Sequence, residues 1–155
     1  MTGPSRPQIY VDADACPVKE EVVRVADRHE LTVTLVSNGG LRPSRDPAVR
    51  HVVVAKGADA ADDWIVEHLQ PGDIVVTADI PLAARAVERG ANALGPTGRP
   101  FTTETVGMAL AMRDLNQHLR ETGEIKGHNA GFSARDRSAF LQSLDSTVRR
   151  ALRPR

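Results

Sequence analysis

Short apolar runs of strand length alternate with helix-type segments over the first 95 residues, and this alternation limits the possible folds more than any other feature. The runs are Ile9–Val11, Leu31–Val36, His51–Ala55, Ile74–Thr77 and Asn92–Leu94. Strands that alternate with helices are joined by right-handed crossovers, which place the strands in a parallel sheet with helices on its faces. The sequence therefore predicts a three-layer α/β domain with a central, mostly parallel sheet.

Helix signals occupy the segments between the runs, and only helices are predicted after residue 100. The predicted helices are Val18–His29, Asp59–Leu69 with Asp59 as N-cap, Pro81–Gly90, Thr103–Thr122 and Ala134–Leu152. A glycine-bearing loop is predicted at 123–133. We expect a single domain over residues 1–155, with a core at about 8–115 and a C-terminal helical extension at about 116–152.

Charge and cysteine content bear on the partners of the protein and on its cellular compartment. The net charge is zero, but residues 1–112 carry 11 Lys/Arg and 15 Asp/Glu, whereas residues 113–155 carry 9 and 5. The basic tail is a weak pointer to an anionic partner such as RNA, and a solvated basic helix explains it equally. With Cys16 as the one cysteine, no internal disulfide can form, and no apolar run is long enough to span a membrane. We expect a cytoplasmic protein.

Aspartates gather where the predicted strands end. Asp12 and Asp14 follow the first strand, Asp79 follows the fourth, and Asp59, Asp62 and Asp63 begin the helix after the third. In parallel sheets, ligands bind beyond the carboxyl ends of the strands. Carboxylates gathered at this edge repel one another, and Mg²⁺ or Mn²⁺, which prefer oxygen ligands, relieve that repulsion. The six aspartates are therefore predicted metal ligands.

Helix capping is the structural alternative for these aspartates. It explains Asp59 well, because aspartate is a favoured N-cap residue. It leaves Asp12, Asp14 and Asp79 without a common explanation. The metal site is therefore the preferred interpretation.

Other residues near this edge have two interpretations each. Asn38, Lys56, Thr77 and Arg113 are candidate substrate-binding residues. Each also has an ordinary structural explanation, as a turn residue, a solvated cation or the end of a strand. Cys16 lies at a helix start, where the helix dipole lowers a thiol pKa, but a packing role without a paired base is preferred.

Three long motifs carry a resemblance to a known family. They are YVDADACP at Tyr10–Pro17, KGADAADDW at Lys56–Trp64 and GDIVVTADIPL at Gly72–Leu82, and DRSAF at Asp136–Phe140 adds to them. Together they resemble the bacterial YaiI/YqxD family, whose members are PIN-like in fold. The resemblance covers about Ile9 to Leu144. Gly127–Gly131 departs from the Gly-Gly-Pro-rich loop expected there.

The resemblance implies a site and a reaction. PIN-like domains include ribonucleases that hold Mg²⁺ or Mn²⁺ with a few acidic residues. By that resemblance Asp12 and Asp79 are catalytic ligands, and Asp62 or Asp63 is the helix acid, with Asp59 close behind. The implied reaction is metal-assisted hydrolysis of a phosphodiester, with RNA as the implied substrate.

Two other functions fit parts of the sequence. Asp12 and Asp14 mimic the nucleophile and general acid of a haloacid-dehalogenase-like phosphatase, and its remaining parts are mimicked by Ser37, by Lys56, and by Asp73 with Asp79. A non-catalytic RNA-binding or regulatory module that retains the acidic pocket is the second alternative.

Overall fold

The alternation of strands and helices is confirmed in a computed structural model, which describes residues 6–13, 16–39, 46–55, 60–108, 111–112 and 133–152. The strands are β1 (Ile9–Asp12), β2 (Val33–Ser37), β3 (Val49–Val53), β4 (Ile74–Val76), β5 (Asn92–Leu94) and β6 (Pro100–Phe101). The helices are α1 (Lys19–Arg28), α2 (Ala60–His68), α3 (Ile80–Glu88), α4 (residues 103–108 and 111–112) and α5 (Ala134–Leu152).

The six strands form one sheet in the order β3-β2-β1-β4-β5-β6. The first five are parallel, and β6 runs antiparallel to β5. The chain builds the sheet outward from β1 to β3 on one side, and then resumes with β4 on the other side of β1. The order of the strands therefore reverses between β1 and β4, which is where such sheets bind ligands.

Alternate side chains of each strand enter two separate cores, as the pleat of a strand requires. Ile9 and Val11 of β1 face α1 and α5, whereas Tyr10 between them faces α2 and α3. In β4, Val75 likewise lies in the core opposite to that of its two neighbours. The sheet is thus the middle of three layers, and the architecture is consistent with a PIN-like fold.

The predicted C-terminal helix is confirmed as α5, and it lies in the same layer as α1. Phe140, Leu144 and Val148 recur every fourth residue and are fully buried against this side of the sheet. Polar contacts join the two helices at both ends: Arg137 pairs with Glu21, and Asp145 contacts the end of α1. Helix α5 therefore completes the first core.

Strand boundaries differ from the prediction by two residues in places. β2 begins at Val33 because the main-chain N–H of Leu31 closes the end of α1 on the Ala26 carbonyl at 2.8 Å. Glu30, with a φ of 58°, makes that closure possible. A closing turn of this kind has no periodic signal, so hydrophobicity alone assigned Leu31 to the strand.

The helix-only prediction after residue 100 is wrong at one place. Pro100 and Phe101 form β6, which a turn at 95–98 returns to the sheet. Gly98 adopts a φ of 90° in this turn and lies against the backbone of α5. Two residues are too few for a period to be read.

The helix predicted at 103–122 is confirmed over the part described, 103–108 and 111–112, while the loop predicted at 123–133 lies outside the described residues except for Ser133. No helix that the described residues form is both long and apolar enough to span a membrane.

Candidate functional site

The candidate site lies at the carboxyl edge of the sheet, where the strand order reverses between β1 and β4. Asp12 is the last residue of β1, and its strand neighbour on the β4 side ends at Val76. Thr77 and Asp79 follow β4 directly. Asp12 and Asp79, two of the predicted catalytic aspartates, therefore lie on the two chain segments beside the switch point, where the strand order reverses.

A buried hydroxyl joins these two segments. Thr77 is 1 % exposed, and its Oγ1 donates a hydrogen bond to Oδ2 of Asp12 at 3.0 Å. The same oxygen accepts a hydrogen bond from the main-chain N–H of Asp79 at 2.9 Å. Because a hydroxyl has one proton, and Thr77 gives it to Asp12, this contact favours Asp12 as an ionised acceptor.

Asp79 is the N-cap of α3. Its Oδ1 accepts a hydrogen bond from the main-chain N–H of Leu82 at 2.9 Å, and Pro81 occupies the first turn of the helix. The interpretation that capping does not explain Asp79 is therefore wrong, because the N–H groups of the first turn need such an acceptor. Capping uses only Oδ1, and no hydrogen bond among the described residues engages Oδ2.

The first turn of α2 distinguishes Asp62 from Asp63. Asp62 lies one turn before the buried pair Ile65 and Val66 and is itself half-buried, so it shares the sheet-facing side of the helix. Asp63 is exposed, and its Oδ1 lies 2.8 Å from Nη1 of Arg85 on α3. The guanidinium already compensates the charge of Asp63, so Asp62 is the better placed helix acid.

Part of the predicted ligand set is among the described residues. Asp14 and Asp59, together with Lys56 and Arg113, lie outside the described residues. Within the described part of the chain, no three His, Cys, Asp or Glu side chains are close enough together to hold a metal ion. Among the described residues, the candidate site therefore consists of the two segments that carry Asp12 and Asp79, with Asp62 on the neighbouring helix α2.

Asn38 has a structural role at this edge. Its side-chain nitrogen donates to the carbonyl oxygen of Ala55 at 3.0 Å, which ties the segment after β2 to the segment after β3. Ser37, the last residue of β2, is buried and accepts from the main-chain N–H of Gly39 at 3.2 Å. These contacts hold the first residues after β2 beside the segment after β3.

Asp73 lies at the opposite edge of the sheet from Asp12 and Asp79, because it precedes β4. Its two carboxylate oxygens accept from the main-chain N–H groups of Gln8 at 3.0 Å and Gln70 at 2.9 Å. Burial raises the pKa of Asp73 despite these hydrogen bonds. The assignment of Asp73 to a phosphatase-like site is therefore wrong: this residue joins the start of β1 to the turn before β4.

Lys19 is a residue of the candidate site that the sequence interpretation missed. Its Nζ donates to the carbonyl oxygens of Ala13 at 3.2 Å and Cys16 at 3.0 Å. The ammonium group thereby joins Ala13, the residue after Asp12, to Cys16 ahead of α1. Its position, near the start of the helix that follows Asp12 and Asp14, was the available signal.

Cys16 confirms the packing role preferred from the sequence. It is 7 % exposed and belongs to the core formed with α1 and α5. Burial raises the pKa of its thiol, and this effect exceeds the opposing influence of the hydrogen bond involving Val18 and of the Lys19 charge. The expected lowering by the helix start is absent because desolvation of the thiolate is the larger cost.

Comparison with known proteins gives matches over nearly the whole chain. The model of an uncharacterised bacterial family, YaiI/YqxD, matches residues 10–150. A UPF0178 protein of Mesorhizobium japonicum is 72% identical over 147 residues, which is 95% of each chain. A UPF0178 protein of Agrobacterium fabrum is 64% identical over 150 residues, 97% of this chain and 98% of the relative. No solved structure gives a significant match.

Proposed function

Because the chain belongs to the uncharacterised YaiI/YqxD family, whose relatives carry names that state no activity, we propose a function from the site itself: a Mg²⁺- or Mn²⁺-dependent nuclease that hydrolyses phosphodiester bonds in RNA. One observation carries the proposal. Thr77 joins the carboxylate of Asp12 to the segment of Asp79 at the switch point of the sheet.

The donor set suits a hard cation. Mg²⁺ commonly keeps several waters and binds through one or two carboxylates together with substrate phosphates. In this proposal Asp12 and Asp79 are the central ligands, Asp79 through the oxygen that does not cap α3. Asp62 approaches from α2, and Asp14 and Asp59 complete the proposed set, whereas Asp63 is left out because Arg85 pairs with it. When bound, the metal supplies Lewis-acid activation of the phosphodiester.

The protein's own contribution is to hold the acids in position before substrate arrives. Thr77 fixes Asp12 as an acceptor, and the α3 cap fixes the side chain of Asp79. Two restrained carboxylates reduce the reorganisation that each turnover would otherwise require. Asn38, Lys56 and Arg113 are the proposed substrate-binding residues, with Thr77 positioning Asp12. We place the activity in the cytoplasm, where Cys16 remains reduced.

The two alternatives have less support. A phosphatase of the haloacid-dehalogenase type would need Asp73 near Asp12, but Asp73 lies at the opposite edge of the sheet. A non-catalytic RNA-binding module retains the acidic edge but gives no role to the Asp12 carboxylate that Thr77 restrains. Cleavage assays separate all three functions.

The test measures Mn²⁺-dependent cleavage of a labelled single-stranded RNA by Asp12→Asn and Asp79→Asn variants. Asparagine still accepts from Thr77 at position 12 and still caps a helix at position 79, so both folds are retained. We expect the cleavage rate to fall at least about 100-fold in each variant. Titration of Mn²⁺ by electron paramagnetic resonance is expected to show weaker binding in parallel.

Asp63→Asn is the matched control, because the carboxylate of Asp63 is already paired with Arg85 at the surface. We expect its rate to stay within about twofold of the unmodified protein, since an exposed ion pair contributes little. Asp62→Asn is expected to behave like the Asp12 variant. Unchanged cleavage in both the Asp12 and Asp79 variants would remove the proposed function, as would hydrolysis of phosphomonoesters alone.

A further inference from the structure

A group of basic side chains surrounds one acid at the end of α1 remote from the candidate site. We call it the basic patch, and it consists of Arg6, Arg28, His29 and Arg149 around Asp145. Helix α1 begins beside the loop after Asp12 and ends at Arg28, so its ten residues separate the patch from the acidic edge by roughly 15 Å.

Asp145 contacts three of these basic side chains through its two oxygens. Oδ1 lies 2.7 Å from Nε2 of His29 and 3.3 Å from Nη1 of Arg28. Oδ2 lies 3.0 Å from Nε of Arg149, one turn along α5. The guanidinium of Arg6 donates to the carbonyl oxygen of His29 and so joins the group from the chain before β1.

One carboxylate cannot neutralise three guanidinium groups, so Arg6, Arg28, Arg149 and Asp145 together keep a net charge of +2. The side chains of Arg28 and Arg149 are 56% and 67% exposed, whereas that of Asp145 is only 15% exposed. Arg28 and Arg149 each contact Asp145 through one of three nitrogens. The half-buried acid thus orients two guanidinium groups whose side chains remain more than half exposed.

We propose that the basic patch binds the phosphate backbone of an RNA strand whose other end reaches the acidic edge. Guanidinium forks match phosphate geometry, and groups held in place by Asp145 lose little freedom on binding. Arg24, exposed on α1 one turn before Arg28, lies between the patch and the site. The choice of RNA as the polyanion rests on the proposed function.

The experiment measures binding of a fluorescent single-stranded RNA in EDTA by anisotropy at several salt concentrations. We expect Arg28→Gln/Arg149→Gln to bind roughly 10- to 30-fold more weakly near 0.1 M salt. The slope of log Kobs against log[salt] should become shallower by about 1.4, because each lost contact to single-stranded RNA removes about 0.7.

Two further double variants control for charge and for structure. Arg50→Gln/Arg89→Gln removes the same charge from exposed arginines of β3 and the end of α3, away from the basic patch, and is expected to bind within about twofold of the unmodified protein. Arg28→Lys/Arg149→Lys keeps the charge and is expected to recover most of the salt slope. Equal losses in the Arg50/Arg89 and Arg28/Arg149 Gln variants would overturn the proposal.

Other outcomes separate this proposal from the nuclease proposal. Binding through the basic patch without any cleavage in Mn²⁺ would uphold the patch and remove the nuclease. Cleavage that depends on Asp12, with no effect of the patch variants on binding, would do the reverse. Stronger competition by poly-glutamate than by unlabelled RNA would overturn RNA as the partner.

Discussion

Single side chains at the carboxyl edge combine folding and proposed catalytic roles. Asp79 caps α3 with one oxygen, and Thr77 links it to Asp12. The positions of both aspartates could be predicted, because each follows an apolar run of strand length. The hydrogen bond that Thr77 donates to Asp12 could not be predicted. Its direction depends on a main-chain N–H and a carboxylate that only the folded sheet brings together.

Cys16 gives a prediction at the residue scale. Because the thiol is buried and burial raises its pKa, we expect it to react with iodoacetamide at pH 7.5 at least about tenfold more slowly in the folded protein than in urea. The reaction is followed by mass spectrometry. Equal rates in the two states would indicate an accessible, activated thiol and would contradict the packing role.

At the scale of elements, the periodicity of apolar residues predicted helices and strands correctly where the element is long. The apolar spacing of α5 was read to the correct residues, Ala134–Leu152, because five turns give the pattern many repeats. β6, with two residues, offered no pattern at all. The contacts that attach α5 to α1 also escaped the sequence, because they pair residues more than a hundred positions apart.

One of these contacts predicts how stability changes with pH. The hydrogen bond from His29 is the main cause that lowers the pKa of Asp145 below its ordinary value of 3.8, and the Arg149 and Arg28 charges add to it. A lowered carboxyl pKa stabilises the fold above the unfolded pKa, and that stabilisation is lost as the pH falls through the folded pKa. We expect Asp145→Asn to reduce the free energy of unfolding by about 1 kcal/mol at pH 7.

The difference between Asp145→Asn and the unmodified protein should shrink as the pH falls below 3.8. Urea denaturation between pH 3 and pH 7 measures it. The matched control is Asp27→Asn, which changes an exposed acid on α1. A difference that stays constant over this range would show that Asp145 acts through packing and not through its charge.

At the scale of the whole molecule, the three layers could be predicted, but the packing of α5 into the first core could not. Strand and helix alternation indicated three layers, and the structure places α1 and α5 on one face and α2 and α3 on the other. Sequence assigned α5 to an extension because it follows the last predicted strand. Burial of its apolar stripe against α1 and the sheet is a tertiary contact that no local pattern encodes.

Leu144→Ala tests whether the fold depends on α5. Leu144 is fully buried in the core that α5 shares with α1, so we expect its truncation to reduce the free energy of unfolding by about 2–5 kcal/mol. Urea denaturation followed by circular dichroism measures the change, with exposed Gln142→Ala on the same helix as control. A loss within about 0.5 kcal/mol would mean that α5 is dispensable.

The hydrogen bond between Thr77 and Asp12 spans 65 positions of the chain. During synthesis, β1 emerges well before β4, so a nascent chain carries Asp12 without the neighbour that restrains it. Contacts of such sequence separation form only after the intervening loop entropy has been overcome. The acidic edge therefore forms only when β4 pairs with β1. A fragment that ends before residue 74 would contain Asp12 but would lack Thr77 and Asp79.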